Sequence, residues 1–239
     1  MKKPHPTLRS RTVRTVLFFF VSSVFVLLCA LAVTRVVMGS GLIRGPYPAP
    51  GKSLAWLLGA PETAYNYAMV TEGRVHRSAR PDARFLEWMR DTHNIRRVIG
   101  LAGADPVHET AKKLGMEVTA FTWTPSQLPP QDELDAVVEL LAGGESVLVH
   151  CASGSDRTGY AVAAYRVERL GWAVDDAVLE MSAHWHNPER YPDLHRALRA
   201  RFERSAKDRP VPGSARKPVS SDPELLLAVG NAHSRIPVD

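Results

Sequence analysis

Cys151 and Arg157 stand six positions apart in VLVHCASGSDRTG, residues Val147 to Gly159. An apolar stretch runs into His150-Cys151. Ala152, Ser153, Gly154, Ser155 and Asp156 follow, then Arg157, Thr158 and a helix-compatible segment. A thiol between the carboxyl end of a strand and a helix N-terminus lies where open α/β sheets bind ligands. Gly154 permits backbone conformations that larger residues resist, so the loop can turn successive N–H groups inward as an anion nest. The helix end adds roughly half a positive charge. The planar fork of Arg157 can hold two oxygens of a tetrahedral anion at once. Cysteines in such surroundings have a pKa lowered from about 8.5 to between about 3.5 and 7.5, and the thiolate can attack phosphorus to give a phosphocysteine intermediate. Thr158 can donate to Cys151 and help it leave, while His150 orients the loop. Phosphate binding therefore falls to Ala152, Ser153, Gly154, Ser155, Asp156 and Arg157, and catalysis to Cys151, Arg157, Asp156, Thr158 and His150.

The surrounding pattern supplies elements to hold such a loop. Strands are expected at Arg74–Ser78, Arg97–Leu101, Glu117–Trp123 and Ser146–Val149, from apolar runs or alternation. Helices are expected at Pro81–His93, Pro106–Leu114, Pro130–Leu141, Thr158–Leu170, Val174–His186 and Pro188–Phe202. Alternating strands and helices predict an α/β fold, a small central sheet with helices on both faces. Gly and Pro mark residues 39–61 as a linker. The Pro, Ser and Lys of residues 205–239 predict a flexible tail, in which the apolar Leu225–Val229 stands out. The folded domain is then residues 62–204.

Val16 to Val33 carries no charge and reaches about the minimum length of a bilayer span. Residues 1–15 form a basic segment before an anchor at 16–38. Lys2, Lys3, Arg9, Arg11 and Arg14 precede the apolar run, against Arg35, Arg44 and Lys52 at or after its end. This bias puts the N-terminus in the cytoplasm and the domain across the membrane. Ala30-Leu31-Ala32 offers the alternative of a cleaved signal sequence; either reading exports the domain. The net charge of +5 gathers largely at the two ends of the chain, so it lends little support to a nucleic-acid partner. The two cysteines, Cys29 and Cys151, form no CxxC pair, which argues against a zinc site or a dithiol. No metal or organic cofactor is implied, since Arg157, the loop amides and the helix end supply the phosphate field.

His150-Cys151-x5-Arg157-Thr158 resembles the signature of the protein tyrosine and dual-specificity phosphatase superfamily. Upstream, Asn66-Tyr67, Val70, Glu72-Gly73-Arg74-Val75 and Arg77-Ser78-Ala79-Arg80-Pro81 resemble, more loosely, the opening strand of compact bacterial dual-specificity-like members. Ile95-Arg96-Arg97-Val98-Ile99 resembles their next strand. The resemblance implies a phosphatase-type fold, a phosphorylated substrate and, with the anchor, a single-pass protein of the bacterial inner membrane whose catalytic domain is periplasmic. It also implies an aspartate general acid on a loop well before the cysteine. Residues 119–125 read TAFTWTP, without a carboxylate. By resemblance to certain phosphoinositide phosphatases, such as the myotubularin-like enzymes, the acid is then Asp156. Asp132 is the alternative, with a plain helix N-terminal role beside it. His184-Trp185-His186 reads as a helix face rather than a metal site.

The expected function is cysteine-dependent hydrolysis of phosphate monoesters, on a phosphoprotein or a small phosphoester. A phospholipid or phosphoinositide substrate is the alternative, favoured by the anchor and by Asp156. A catalytically silent phosphate-binding module and a different thiol chemistry, sulfur transfer or arsenate reduction, stand behind these.

Overall fold

The computed structural model describes residues 8–39, 45–125 and 127–208. Five short strands form one sheet: β1 (Ala68–Thr71), β2 (Val75–Ser78), β3 (Arg97–Gly100), β4 (Glu117–Ala120) and β5 (Val147–His150), in the order β1-β2-β5-β3-β4. β1 and β2 pair antiparallel, while β2, β5, β3 and β4 run parallel. All four residues of β2 and of β5 are buried, as expected of parallel strands covered on both faces. β5 lies between β2 and β3, with His150 in register with both Ser78 and Gly100. The chain therefore leaves β5 at Cys151 from the middle of the sheet.

The helices are α1 (Leu8–Gly39), α2 (Ala49–Leu57), α3 (Ala83–His93), α4 (Pro106–Lys113), α5 (Gln131–Ala142), α6 (Asp156–Leu170), α7 (Val174–Ala183) and α8 (Pro192–Asp208). Alternate strand residues point to opposite faces, and two cores result. Ile99, Val147 and Val149 pack with α5, α6, α7 and α8; Val98 and Leu148 pack with α2, α3 and α4. The α/β class with helices on both faces is thus observed. Of the described residues, one helix is long and apolar enough to cross a membrane, over Thr15–Thr34.

Several local expectations change. Within the expected linker 39–61, residues 49–57 form α2, and Ala55, Leu58 and Ala60 are buried against Phe85, Leu86 and Met89. Pro50 sits in the first turn of α2, where a missing N–H is harmless, so its presence does not break the helix. Ahead of it, Gly45 and Tyr47 donate to the carbonyls of Thr63 and Ala64. β1, absent from the sequence-based strand set, is held by pairing to β2. The helix expected to reach His186 ends at Ala183, because Trp185 adopts φ +69 in the left-handed region. α8 starts at Pro192 and runs to Asp208, past the expected domain end at Arg204. Arg201 ties α8 to Glu168 of α6 and to Asp135 of α5. Residues 209–239, with Leu225–Val229, lie outside the described residues.

Candidate active site

Three successive carbonyls of the turn between β5 and α6 are held outward by three different segments. Ala152 O accepts from the Arg80 N–H at 3.1 Å, Ser153 O from Asn66 Nδ2 at 3.0 Å, and Gly154 O from Arg77 Nη2 at 2.7 Å. In a trans peptide the N–H points opposite to the C=O. The N–H groups of Ser153, Gly154 and Ser155 are thereby turned away from those three partners, and that of Gly154 is 3.2 Å from Cys151 Sγ. Cys151 itself is 1% exposed. Asp156, Arg157 and Thr158 form the first turn of α6, whose N–H groups have no partner within the helix. The turn that carries the Gly154 amide to Sγ thus runs directly into the start of α6.

Gly154 has φ +72, and a β-carbon there would lie 2.6 Å from Ala79 N and 2.7 Å from Ser78 O. Backbone cannot swing away as a flexible side chain can. Gly154→Ala is expected to destabilise the protein by about 3 kcal/mol and to lower turnover by opening the turn. A urea titration run beside a phosphate-release assay checks this; a variant matching the wild type in both would mean that the turn is not tightly set.

Arg77 lies beneath the turn on β2, wholly buried. It also reaches Glu180 of α7 at 3.4 Å, which accepts in turn from Arg166 Nη2 at 2.9 Å. Burial pulls the Arg77 guanidinium down from its ordinary range, against the opposing pull of Glu180; Arg166 lowers it further, and Cys151 raises it. A buried cation paired in this way is retained at a cost in desolvation, which here places positive charge under the loop.

Arg157 donates from Nη1 to Trp123 O at 2.9 Å, and its Nε is buried without a partner. Trp123 is fixed from its other end, where Nε1 donates to Glu133 of α5 at 2.6 Å. The TAFTWTP stretch therefore contributes a carbonyl that aims the arginine. Asp132 is exposed on the first turn of α5. The Thr158 hydroxyl is buried and unpaired, and the contact recorded at Cys151 Sγ comes from Gly154. Asp156 neither caps α6 nor pairs with Arg157: its Oδ1 meets His186 Nδ1 at 2.7 Å.

His150 is buried behind the cysteine, with Nδ1 3.4 Å from Cys151 O and Nε2 3.3 Å from His108 Nε2. Gly100 on β3 makes room for this pair, since a β-carbon there would lie 2.4 Å from His108 Nε2. Burial, then neighbouring His108, lowers His150 to about 4. On β2, burial and then His93 lower His76 to about 4 as well. Below the ordinary histidine value of about 6.5, the unfolded chain takes up two protons that the folded chain refuses until about pH 4. Stability present at neutral pH is therefore lost as pH falls from about 6.5 to 4, by on the order of 3 kcal/mol for each histidine. Urea midpoints of the full chain at pH 7.5 and pH 4.5 check this; equal midpoints would show both imidazoles charged in the folded state.

Asn66, Arg77, Trp123, His186 and His195 were not singled out as site residues from the sequence. Asn66 and Arg77 entered only through the upstream resemblance, Arg77 within the strand expected at Arg74–Ser78. Asn66 also binds the carbonyl of His184 at 3.2 Å and its Nδ1 at 3.0 Å, and His186 Nε2 faces His195 Nε2 at 2.9 Å.

A family model described as "Tyrosine phosphatase family" matches residues 108–232, just over half of the chain and continuing beyond α8. Among solved structures, TpbA of P. aeruginosa is 19% identical, with a TM-score of 0.52 over 70% of this chain and 98% of that one. The core catalytic domain of the PP-IP phosphatase SIW14 from S. cerevisiae is 16% identical, with a TM-score of 0.51 over 60% and 92%. At such identities these likenesses concern the fold. With the family match laid over a cysteine turn built in this way, the chain belongs to the tyrosine phosphatase family and is a phosphoric monoester hydrolase of the tyrosine and dual-specificity type.

Proposed function

We propose that this phosphatase works through a phosphocysteine, with Cys151 as nucleophile and Arg157 as clamp. The observation that carries the reading is the anchoring of three consecutive loop carbonyls by Arg80, Asn66 and Arg77, which turns the paired amides away from those partners and leaves that of Gly154 on Sγ. In the proposed sequence the phosphate seats on those amides and Arg157. Sγ attacks phosphorus; the S–P bond forms as the ester P–O bond breaks, and Asp156 gives its proton to the leaving oxygen. Water then attacks phosphorus, Asp156 takes the water's proton, and phosphate leaves as the S–P bond breaks. The Thr158 hydroxyl supports the departing thiolate, His150 positions the cysteine, and Arg77 adds charge from below.

The substrate in this reading is a phosphoprotein or a small phosphoester, because Ala152, Ser153 and Ser155 bring no second cation to the loop. A phosphate on a membrane lipid is the second reading, and a specific observation favours it. Six chain steps join Gly39, the end of α1, to Gly45, a reach of at most about 22 Å. A β-carbon on Gly45 would lie 3.7 Å from the ring of Trp185, between the two histidines that hold the loop. An anchored α1 thus keeps the site near the bilayer. The phosphatase unit we place at residues 45–208, after the single span. The basic residues ahead of Val16 put it on the extracytoplasmic side; a C-terminal reporter active only in the cytoplasm would overturn that.

Phosphate release by the full chain distinguishes the substrates, measured with an aryl phosphate, a phosphotyrosine peptide and phosphoinositide vesicles. Preference for the peptide or aryl ester supports the first reading, and preference for vesicles supports the second. Binding of phosphate without release from any of them would make the chain a silent phosphate-binding module.

A further inference from the structure

Trp185 is a non-glycine residue in left-handed backbone conformation, φ +69. It closes α7 in the way a glycine usually does, with Trp185 N–H on Ser182 O and His186 N–H on Met181 O. Strain of this kind persists where the surroundings over-determine it. Here the turn sends two histidines to the phosphate loop. His184 holds Asn66, and through it Ser153 O; His186 holds Asp156.

The His186 side chain is fully buried and that of Asp156 is 16% exposed. His186 Nδ1 lies 2.7 Å from Asp156 Oδ1, and His186 Nε2 lies 2.9 Å from His195 Nε2 on α8. The Tyr191 ring stacks over His186. Arg199 faces His195 and is itself tied to Asp175 of α7. Burial, then His186 and Arg199, lower His195, so at neutral pH it offers one donor and one acceptor nitrogen.

Two nitrogens 2.9 Å apart share one proton, so the proton positions along this row are linked. With Asp156 ionised, His186 Nδ1–H donates to it and His195 Nε2–H donates to His186 Nε2. With Asp156 protonated on its other oxygen, Oδ1 still accepts from His186 Nδ1–H and His195 Nε2–H still donates to His186 Nε2, which leaves the acidic proton free for the leaving oxygen. Each state satisfies every buried nitrogen in the row. The carboxyl can therefore lose and regain a proton without leaving a partner stranded, a loss that costs about 1–3 kcal/mol in a buried site.

We infer that His186, backed by His195, is a positioning residue for Asp156 that holds its carboxyl at the leaving oxygen in both protonation states. This rests on the reading of Asp156 as general acid. No net proton passes to the histidines over the cycle: Asp156 gives one to the leaving oxygen and takes one from water.

The test is kcat/KM of the full chain for p-nitrophenyl phosphate, whose leaving group needs little protonation, against phenyl phosphate, whose leaving group needs more. Loss of general-acid help costs about 10²–10⁴ in rate, and only the poorer leaving group feels it. Asp156→Asn is expected to lose about 100-fold on phenyl phosphate and far less on p-nitrophenyl phosphate. His186→Ala should show the same split, and the double variant should lose no more than Asp156→Asn, since the two act as one unit. His186→Asn, whose amide can still donate to the carboxylate, should recover part of the loss. His195→Ala should lose about 5-fold on phenyl phosphate alone, and it keeps the test open if His186→Ala does not fold. A selective Asp156→Asn beside equal losses on both substrates for the His186 and His195 variants would overturn the inference alone. An unselective Asp156→Asn would overturn it together with the acid assignment.

Discussion

Cys151→Ser is expected to abolish phosphate release, by a factor on the order of 10⁴ or more, while leaving the fold and the affinity for vanadate or tungstate in place. The substitution is nearly isosteric at a residue 1% exposed, and a serine oxygen can still accept from the Gly154 N–H that now meets Sγ. What it removes is the sulfur nucleophile of the proposed mechanism; a hydroxyl needs an adjacent base to become one. The base that could rescue it is poorly placed. The recorded contacts of His150 run to the Cys151 carbonyl and to His108, and Asp156 is engaged with His186. Single-turnover phosphate release, read beside oxyanion-dependent thermal stabilisation, makes the comparison. Retained binding with no release separates the nucleophile from the cradle, whereas substantial turnover would place the nucleophile elsewhere.

The second large effect is expected at Arg157→Lys, a drop of about 10²–10³ in kcat/KM. Arg157 spends Nη1 on Trp123 O and keeps the rest of a planar fork whose direction that bond sets. A lysine ammonium is a point charge on a flexible stem and cannot both hold the carbonyl and present two parallel donors. Folding should change little, since one hydrogen bond is worth about 1 kcal/mol. Kinetics on p-nitrophenyl phosphate with a thermal scan of the same samples decide the matter. A variant within a few-fold of wild type would show that the amides alone carry the phosphate.

The cysteine turn was legible in the sequence because its parts are contiguous. Strand, thiol, small residues, arginine and helix succeed one another within Val147–Gly159, and local geometry alone places Sγ beside the helix end. Regions covered by strong periodicity were legible too, as with α3, α5 and β5. Composition misled at 39–61, where Pro and Gly suggested a linker. There α2 owes its stability to burial of Ala55 and Leu58, and a proline in its first turn does not oppose that. Trp185 misled in another way: no propensity marks a tryptophan for a left-handed turn.

Sequence by itself thus determined the parts: a thiol and a guanidinium around a short glycine-containing loop, and an apolar segment ahead of them. Only the tertiary structure decided how the loop is held and what Asp156 faces. Asn66 and Arg77 reach the loop across 87 and 77 residues of chain, because the order β1-β2-β5-β3-β4 sets β2 beside β5. His186 returns to Asp156 across 30 residues, because α7 and α8 pack back onto α6. Such partners satisfy buried polar groups at a distance, and satisfaction of this kind depends on which surfaces meet. No local period or spacing records that, so it became visible only once the chain had closed on itself.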